Sequence, residues 1–354
     1  MKLLDRYIGI SVISSILIVI SVLLALFTFM GFFEELDDIG QGRYDARQAL
    51  LYVLLSIPSL MYQLMPIATL LGCIIGLGML ANNSELVVIR SAGVSLTRIA
   101  WSVIKVGIAM VIVLIVIGEW VAPQSMETAQ NLRANAKSNN VRIASDVGLW
   151  AKDGLTMINA KQLLPGNRLG HVSIYQLDEQ YRLVELMQAE YAAYQGEQWV
   201  LHNVSSSKLT DDGVKTQQQK SMQWDMSISP DLINVVSVNP ETLSVVGLYQ
   251  YTQYLRKNGL SVGRFEQTLW SKFTTPIITM LMVLLAIPLV FGSMRTVSIS
   301  QRIFIGVLIG VGFNILNRLT NYAGLVYDLN IVFYMFSPIA LAAVFTYFMY
   351  KRVY

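Results

Sequence analysis

From Ile8 to Phe33 the chain runs without a single ionisable side chain, and that stretch decides most of what it can fold into. About 20 apolar residues in a helix cross the roughly 30 Å hydrocarbon core of a bilayer. A signal-peptide core is only about 7–15 residues long, so the stretch reads as a retained membrane span. Five more follow: about Ala49 to Leu80, Ile99 to Val121, Leu269 to Phe291, Ile303 to Ala323 and Ile331 to Tyr350. Pro58 and Pro66 inside the second predict a kinked or partly broken helix. Only 14% of residues are charged and 54% are hydrophobic, against about 25% charged in a soluble domain; this is an integral membrane protein. The net charge of +3 says little about partners. Cys73, the single cysteine, falls in an apolar run, so the polar domain has no internal disulfide.

Orientation follows from the bases in the short connections. With six spans, Lys2, Arg6, Arg90, Arg98, Arg295, Arg302, Lys351 and Arg352 share one side, which is therefore cytoplasmic. The segment EELDDIGQGRYDAR (34–47), with five acids against two arginines, and NYAGLVYDLN (321–330), with no base, belong on the other face. Both termini are then cytoplasmic, and a large outer domain separates three spans from three more.

That domain, about Lys137 to Val238, changes to short alternating segments broken at Asp153-Gly154, Asp178-Glu179, Gly196 and Asp212-Gly213. Such spacing predicts an antiparallel sandwich, jelly roll or barrel. Tyr175, Tyr191, Tyr194, Trp199 and Trp224 either line an apolar groove or fill the core. His171 and His202 are the only histidines and lack the neighbours a metal site would want. Residues 239–259 read as a connecting helix with Asn239 as cap, Pro240 in the first position and Gly259 as stop.

No phosphate-cradling G-x-x-x-x-G-K-[ST], no G-x-S-x-G and no H-E-x-x-H occurs, so the chain binds no ATP in that way and offers no such catalytic centre. Lys105 and Glu119, near opposite ends of the third span, are placed to snorkel to water. Arg318, one turn after Asn314 and directly after Asn317, either binds an anionic group or anchors the fifth span.

Between the second and third spans lies LANNSELVVIRSAGVSLTRI (80–99). Asn83 or Ser84 can cap a short helix, Glu85 suits its first turn, and Gly93 stops it. A helix of about ten residues is marginal alone, so it must dock. Lying on lipid headgroups would call for a basic polar face, and an acid at its tip suits a cationic pocket on a protein better.

LDRYIG (4–9), PIATLLG (66–72), GLGMLANNSELVVIRSAGVS (76–95), GEWVAP (118–123), GLWAKDG (148–154), LSVVGLYQYTQYL (243–255) and FGSMRTVSISQRIFIGVLIG (291–310) together resemble the LptF/LptG permease family of the lipopolysaccharide export ABC transporter, along the whole chain. The resemblance implies membrane α plus β architecture: six transmembrane helices, three and three, with an inserted periplasmic antiparallel β-jellyroll. Residues 1–136 would hold spans 1–3 with a cytoplasmic coupling helix at 84–93, 137–238 the jellyroll, 239–268 a connecting helix and 269–354 spans 4–6. It implies a place in the bacterial inner membrane beside a homologous permease (LptF), two copies of the ATPase LptB, the transmembrane helix of LptC and a periplasmic bridge. The cargo would be lipopolysaccharide or lipooligosaccharide. ATP-Mg would be bound by the partner ATPase, this chain would hold no cofactor, and no nucleic acid is expected.

By the same resemblance Ser84, Glu85, Leu86, Ile89, Arg90 and Gly93 form the ATPase-coupling surface, with Glu85 meeting an arginine. Phe27, Met30, Phe33, Ile305, Leu308, Phe313 and Arg133 would line the lipid cavity. Two departures stand out. Gly31, Asp37 and Asp38 occupy positions where close relatives carry phosphate-binding lysines, and Gln130 replaces one of two arginines, Arg133 being kept. Base–phosphate contacts are strong. Either the partner permease supplies the bases, or Asp37 and Asp38 hold divalent cations that bridge to phosphate. A reading from another class is a membrane-anchored periplasmic receptor signalling inward through 80–99, although no cytoplasmic segment is long enough to be an effector domain. A lipid-modifying enzyme would need a cluster of acid, base or nucleophile, which the sequence does not offer.

Overall fold

A backbone in lipid must satisfy its own hydrogen bonds, and every apolar stretch is a helix in the computed structural model, which describes residues 2–137, 142–143, 149–164, 168–195, 198–210, 213–224, 240–292 and 298–353. In chain order these are α1 (Lys2–Leu36), α2 (Ala46–Asn82), a short α3 (Glu85–Ser91) and α4 (Leu96–Val116). A single π-helical turn, Ile117–Val121, carries α4 into α5 (Ala122–Lys137). After the β domain come α6 (Val245–Lys257), α7 (Gly263–Phe291), α8 (Ile299–Val326) and α9 (Ile331–Val353). Among the described residues six helices are long and apolar enough to cross a membrane, so the three-plus-three expectation stands.

The structure adds two details to the sequence reading. The second span is one helix through both prolines; Ser125 of α5 donates to the carbonyl of Leu55 (2.5 Å) in the turn that Pro58 loosens. The helix that carries the third span runs on past Val121 as the polar α5, to Lys137. The π turn that joins the two halves is itself packed: a Cβ on Gly118 would lie 2.4 Å from the Tyr62 ring, and Lys272 of α7 donates to the Gly118 carbonyl (3.0 Å).

The chain divides into two compact units, one of Met1–Asp37, Val53–Ala129 and Gly263–Tyr354, the other of Asp38–Tyr52 and Gln130–Val262. In the first, Ile8, Val12 and Ile16 of α1 repeat every four residues and are buried with Leu70, Ile74 and Leu77 of α2, Val103 of α4 and Met282 and Leu285 of α7. The α1–α2 contact is backbone on backbone: a Cβ on Gly72 would stand 2.5 Å from the Ile16 Cα, and one on Gly76 2.9 Å from the Val12 Cα. With little hydrophobic drive between helices in lipid, small residues that permit such approach hold spans together. Burial is unequal. In their most apolar windows α2 and α7 are 72% and 67% buried inside the chain, α1 and α8 only 22% and 11%.

The second unit carries a 7-stranded antiparallel sheet: β1 (Arg142–Ile143), β2 (Leu149–Asp153), β3 (Thr156–Leu164), β4 (Arg168–Leu177), β5 (Leu183–Gln195), β6 (Gln198–Thr210) and β7 (Gly213–Trp224). β3 to β7 pair in sequence, and β1 and β2 share the other edge of β3. Strict period-two alternation does not survive along these strands. Leu201 and Val204 of β6 are both buried, as are Leu169 and Val172 of β4 and Ala189 and Ala192 of β5, although three residues apart they would lie on opposite faces. The phase changes at His171 (φ 49) and Asn203 (φ 52). These left-handed residues and Glu190 drop out of the ladder in one exposed row, tied by Asn203 Nδ2 donating to Glu190 (2.5 Å). Apolar residues on both sides of the row therefore reach one core. Trp199 is buried there with Tyr194 edge-on against it, while Tyr175 stacks on Trp150 and Tyr191 on His202.

Helix α6 is capped by Ser244, which accepts from the Gly247 N–H (3.2 Å). Pro240–Thr242 forms a separate 3-10 turn, and Asn239, the expected cap, lies outside the described residues, as do Gly196 and Asp212. Gly259 (φ 62) stops the helix as expected. Its Tyr254 hydroxyl donates to the carbonyl of Lys152 (2.9 Å) and accepts from the Lys152 N–H (3.2 Å), closing part of the edge that β2 would otherwise leave open.

Candidate functional site

The segment between the second and third spans folds into α3, seven residues long. Its start is weakly made: Ser84 sits at the cap position with φ 57 and its side chain caps nothing. Its end is strongly made. Gly93 (φ 86) donates to Arg90 O and Val94 to Ile89 O, the paired bonds of a Schellman stop. So short a helix needs docking, and Leu86, 3% exposed, is buried in the helical core with Ile89 packed against it. Val87, Val88 and Arg90 remain exposed, so Arg90 does not share the inward face of Leu86.

Glu85, in the first turn, is held by two uncharged donors: the Tyr7 hydroxyl of α1 at 2.6 Å on Oε2 and Asn83 Nδ2 at 3.3 Å on Oε1. Half a turn before Tyr7, Asp5 accepts from Ser102 Oγ (2.6 Å), Lys105 Nζ (2.7 Å) and Arg98 Nη2 (3.1 Å) of α4. The first turns of α1 are thus bonded both to α3 and to α4. Lys105, placed to snorkel to water, reaches Asp5 with its side chain half exposed.

Of the apolar candidates, Phe27, Met30 and Phe33 of α1 and Leu308 of α8 are exposed, and Phe33 packs edge-on against Phe29 (4.7 Å). Ile305 and Phe313 are partly buried against the helical core. Arg318 is exposed on α8, with Asn314 and Asn317 half-buried beside it.

In the other unit Asp38 and Arg133 are brought together. Asp38 takes hydrogen bonds from Arg133 and from Lys137 (2.6 Å), one helical turn apart on α5. Arg133 lies over the Tyr52 ring (5.0 Å) and Lys137 over the Tyr44 ring (5.5 Å). The turn that delivers Asp38 is fitted to α5: Arg43 N–H donates to Ala136 O (2.7 Å), and a Cβ on Gly42 (φ 63) would stand 2.5 Å from Lys137 O. Lys137 and then Arg133 hold the Asp38 carboxyl below its ordinary range, against a smaller opposing effect of burial. Asp37 is exposed. Among the described residues no group of three or more His, Cys, Asp and Glu is placed to hold a metal.

Sequence reasoning passed over Tyr7, Asp5, Tyr44, Tyr52 and Lys137. The one available signal was charge: Lys105 on a span and Asp5 at a span's start each needed a partner, but nothing local pairs residues a hundred positions apart.

The whole-chain resemblance has a counterpart in known proteins. Residues 6–352 match the family model described as lipopolysaccharide export system permease LptF/LptG. The lipopolysaccharide export system permease protein LptG of Haemophilus influenzae is 35% identical over 351 residues, covering 99% of this chain and 98% of that one. The protein of the same name from Escherichia coli K12 is 37% identical over 329 residues, 92% and 91% of the two chains.

Proposed function

Since the chain belongs to the lipopolysaccharide export system permease LptF/LptG family, we propose that it is the permease subunit through which a separate ATPase, LptB, drives lipopolysaccharide out of the inner membrane towards a periplasmic bridge. The observation that carries this reading is α3, a docked helix between two spans with an acid at its tip. A chain without a phosphate-cradling loop must receive its work from elsewhere, and Glu85 offers a cation on the ATPase a carboxylate whose present donors are both uncharged. ATP-Mg belongs to that partner. Both termini and α3 lie on the cytoplasmic side, and the β domain faces the periplasm beside LptC and the bridge.

α1 and α8, the least covered spans, are where the homologous partner LptF and the acyl chains are expected. Phe27, Met30, Phe33 and Leu308 supply apolar surface there, and Ile305 and Phe313 back it. In the β-domain unit, Asp38 already takes hydrogen bonds from Arg133 and Lys137, which supports these two bases, more than a cation held by Asp37 and Asp38, as the phosphate contact of this chain. Arg318 is a second candidate for an anionic group.

The Glu85→Ala variant tests the reading. It should recover at least about tenfold less LptB when purified from its native envelope, or hydrolyse ATP without releasing lipopolysaccharide, as expected when a charge-assisted contact of roughly 1.5–3 kcal/mol is removed. Unchanged recovery, ATPase rate and transport would remove Glu85 from its role. Mass spectrometry of what co-purifies with the wild-type chain should find a soluble ATPase, a second six-span protein and bound lipopolysaccharide.

A further inference from the structure

The coupling helix is poorly connected to its neighbours through the chain itself. On one side the link to α2 passes Ser84 in a left-handed conformation, and on the other the link to α4 passes Gly93 in the same region. Both are breaks in helical hydrogen bonding, so neither transmits a push along a helix axis. Among the described residues the other connections of α3 are lateral: the buried Leu86 with Ile89 packed beside it, and the Tyr7 hydroxyl on Glu85 at 2.6 Å.

Tyr7 is placed to do more than fasten α3. It occupies Oε2 of Glu85, whereas Oε1 has, among the described residues, only the long bond from Asn83 (3.3 Å). A carboxylate has about four acceptor positions, so a cation can take Oε1 while Tyr7 keeps Oε2. The tyrosine sits on α1, an unbroken helix to Leu36, whose exposed Phe27, Met30 and Phe33 lie roughly 30 to 40 Å along the axis at about 1.5 Å per residue. The end of α1 is itself anchored, since Asp5 draws three donors from α4. A load on Glu85 therefore enters a helix that is stiff along its length and braced at its foot.

We propose that Tyr7 is a positioning residue for Glu85: its hydroxyl holds one carboxylate oxygen so that the other is presented to the ATPase, and it carries the motion of the coupling helix to the first span. The proposal rests on the coupling role of Glu85 given above.

The experiment compares Tyr7→Phe, Glu85→Ala and the double variant in the complete complex, reconstituted with its partner permease and ATPase in vesicles containing lipopolysaccharide. Three quantities are read: ATPase recovered with the complex, ATP hydrolysed, and lipopolysaccharide released per ATP. Tyr7→Phe should assemble and hydrolyse ATP within about twofold of wild type, and release roughly 3- to 10-fold less lipopolysaccharide per ATP, the net scale of one intramolecular hydrogen bond. The same substitution should change nothing further when Glu85 is already alanine, because Tyr7 acts through it. An equal loss in both backgrounds, or wild-type release per ATP in Tyr7→Phe, overturns the proposal. If Glu85→Ala does not assemble, Tyr7→Phe against wild type decides alone by the same ratio, with recovery of the ATPase as the check on folding. A wild-type Glu85→Ala complex would instead overturn the coupling role itself, a result distinguishable from failure of Tyr7.

Discussion

Asp38 illustrates how one carboxylate can be read two ways. In sequence it is an acid where bases are expected, which suggests a cation bridge; in space it is already held by Lys137 and Arg133. Because these bases lower its pKa on folding, the sign of its pH dependence is determined. The stabilisation is complete above the unfolded value of about 3.8 and is lost as pH falls through the lower folded value. Asp38→Asn should therefore loosen the 38–45 turn at pH 7 by about 0.5–1 kcal/mol, the range for exposed pairs. Variant and wild type should converge once the solution is acid enough to protonate Asp38. Amide exchange at Arg43, whose N–H is bonded to Ala136 O, measures both. A constant difference at all pH values would mean the carboxylate charge does not hold the turn. The same test bears on phosphate binding, since an anion placed on Arg133 and Lys137 must compete with Asp38 for them.

Among the elements, the helices owe their contacts to positions without side chains as much as to apolar stripes. Gly72 meets the backbone of Ile16, while Gly312 of α8 has nothing within 4 Å of where a Cβ would stand. The same substitution should then act in opposite senses. Gly72→Ala forces α1 and α2 apart and should cost about 1–3 kcal/mol. Gly312→Ala relieves backbone entropy and should be neutral or stabilising by up to about 1 kcal/mol. Thermal unfolding of the two purified variants separates them, and equal effects would show that the close α1–α2 approach does not matter. The sheet follows the complementary rule. Its strands and the turns at Asp153-Gly154 and Asp178-Glu179 were legible from turn residues and alternation, but the change of phase at His171 and Asn203 was not. Nothing in their side chains distinguishes a left-handed residue in the middle of a strand from an ordinary outward-facing one. The helix over 239–259 was legible, whereas its start at Ser244 was displaced because the Pro240 signal is spent on a 3-10 turn.

For the whole molecule, the unequal burial of the spans is the main message. α2 and α7 are enclosed by their own chain, and α1 and α8 are left largely bare, as a subunit that completes itself against a partner would be. Cys73 is buried, so a lipophilic thiol reagent should report Leu308→Cys alone. Labelling should be rapid in the isolated chain and fall at least about fivefold when the partner permease is co-expressed, since packed interfaces exclude probes as interiors do. Labelling that is unaffected by the partner would place α8 against lipid. By itself the sequence determined that the chain spans a membrane six times, that a β domain interrupts the spans, and that a short acid-tipped helix is stopped at Gly93. Each of these rests on a period, a run length or a capping residue, all readable within a few turns of chain. Only the tertiary structure decided that Asp5 meets Arg98 and Lys105, that Tyr7 holds Glu85, and that Lys137 joins Arg133 on Asp38. The physical reason is that a pairing energy depends on separation in space, and helices of some thirty residues bring together groups about a hundred positions apart that no local pattern connects.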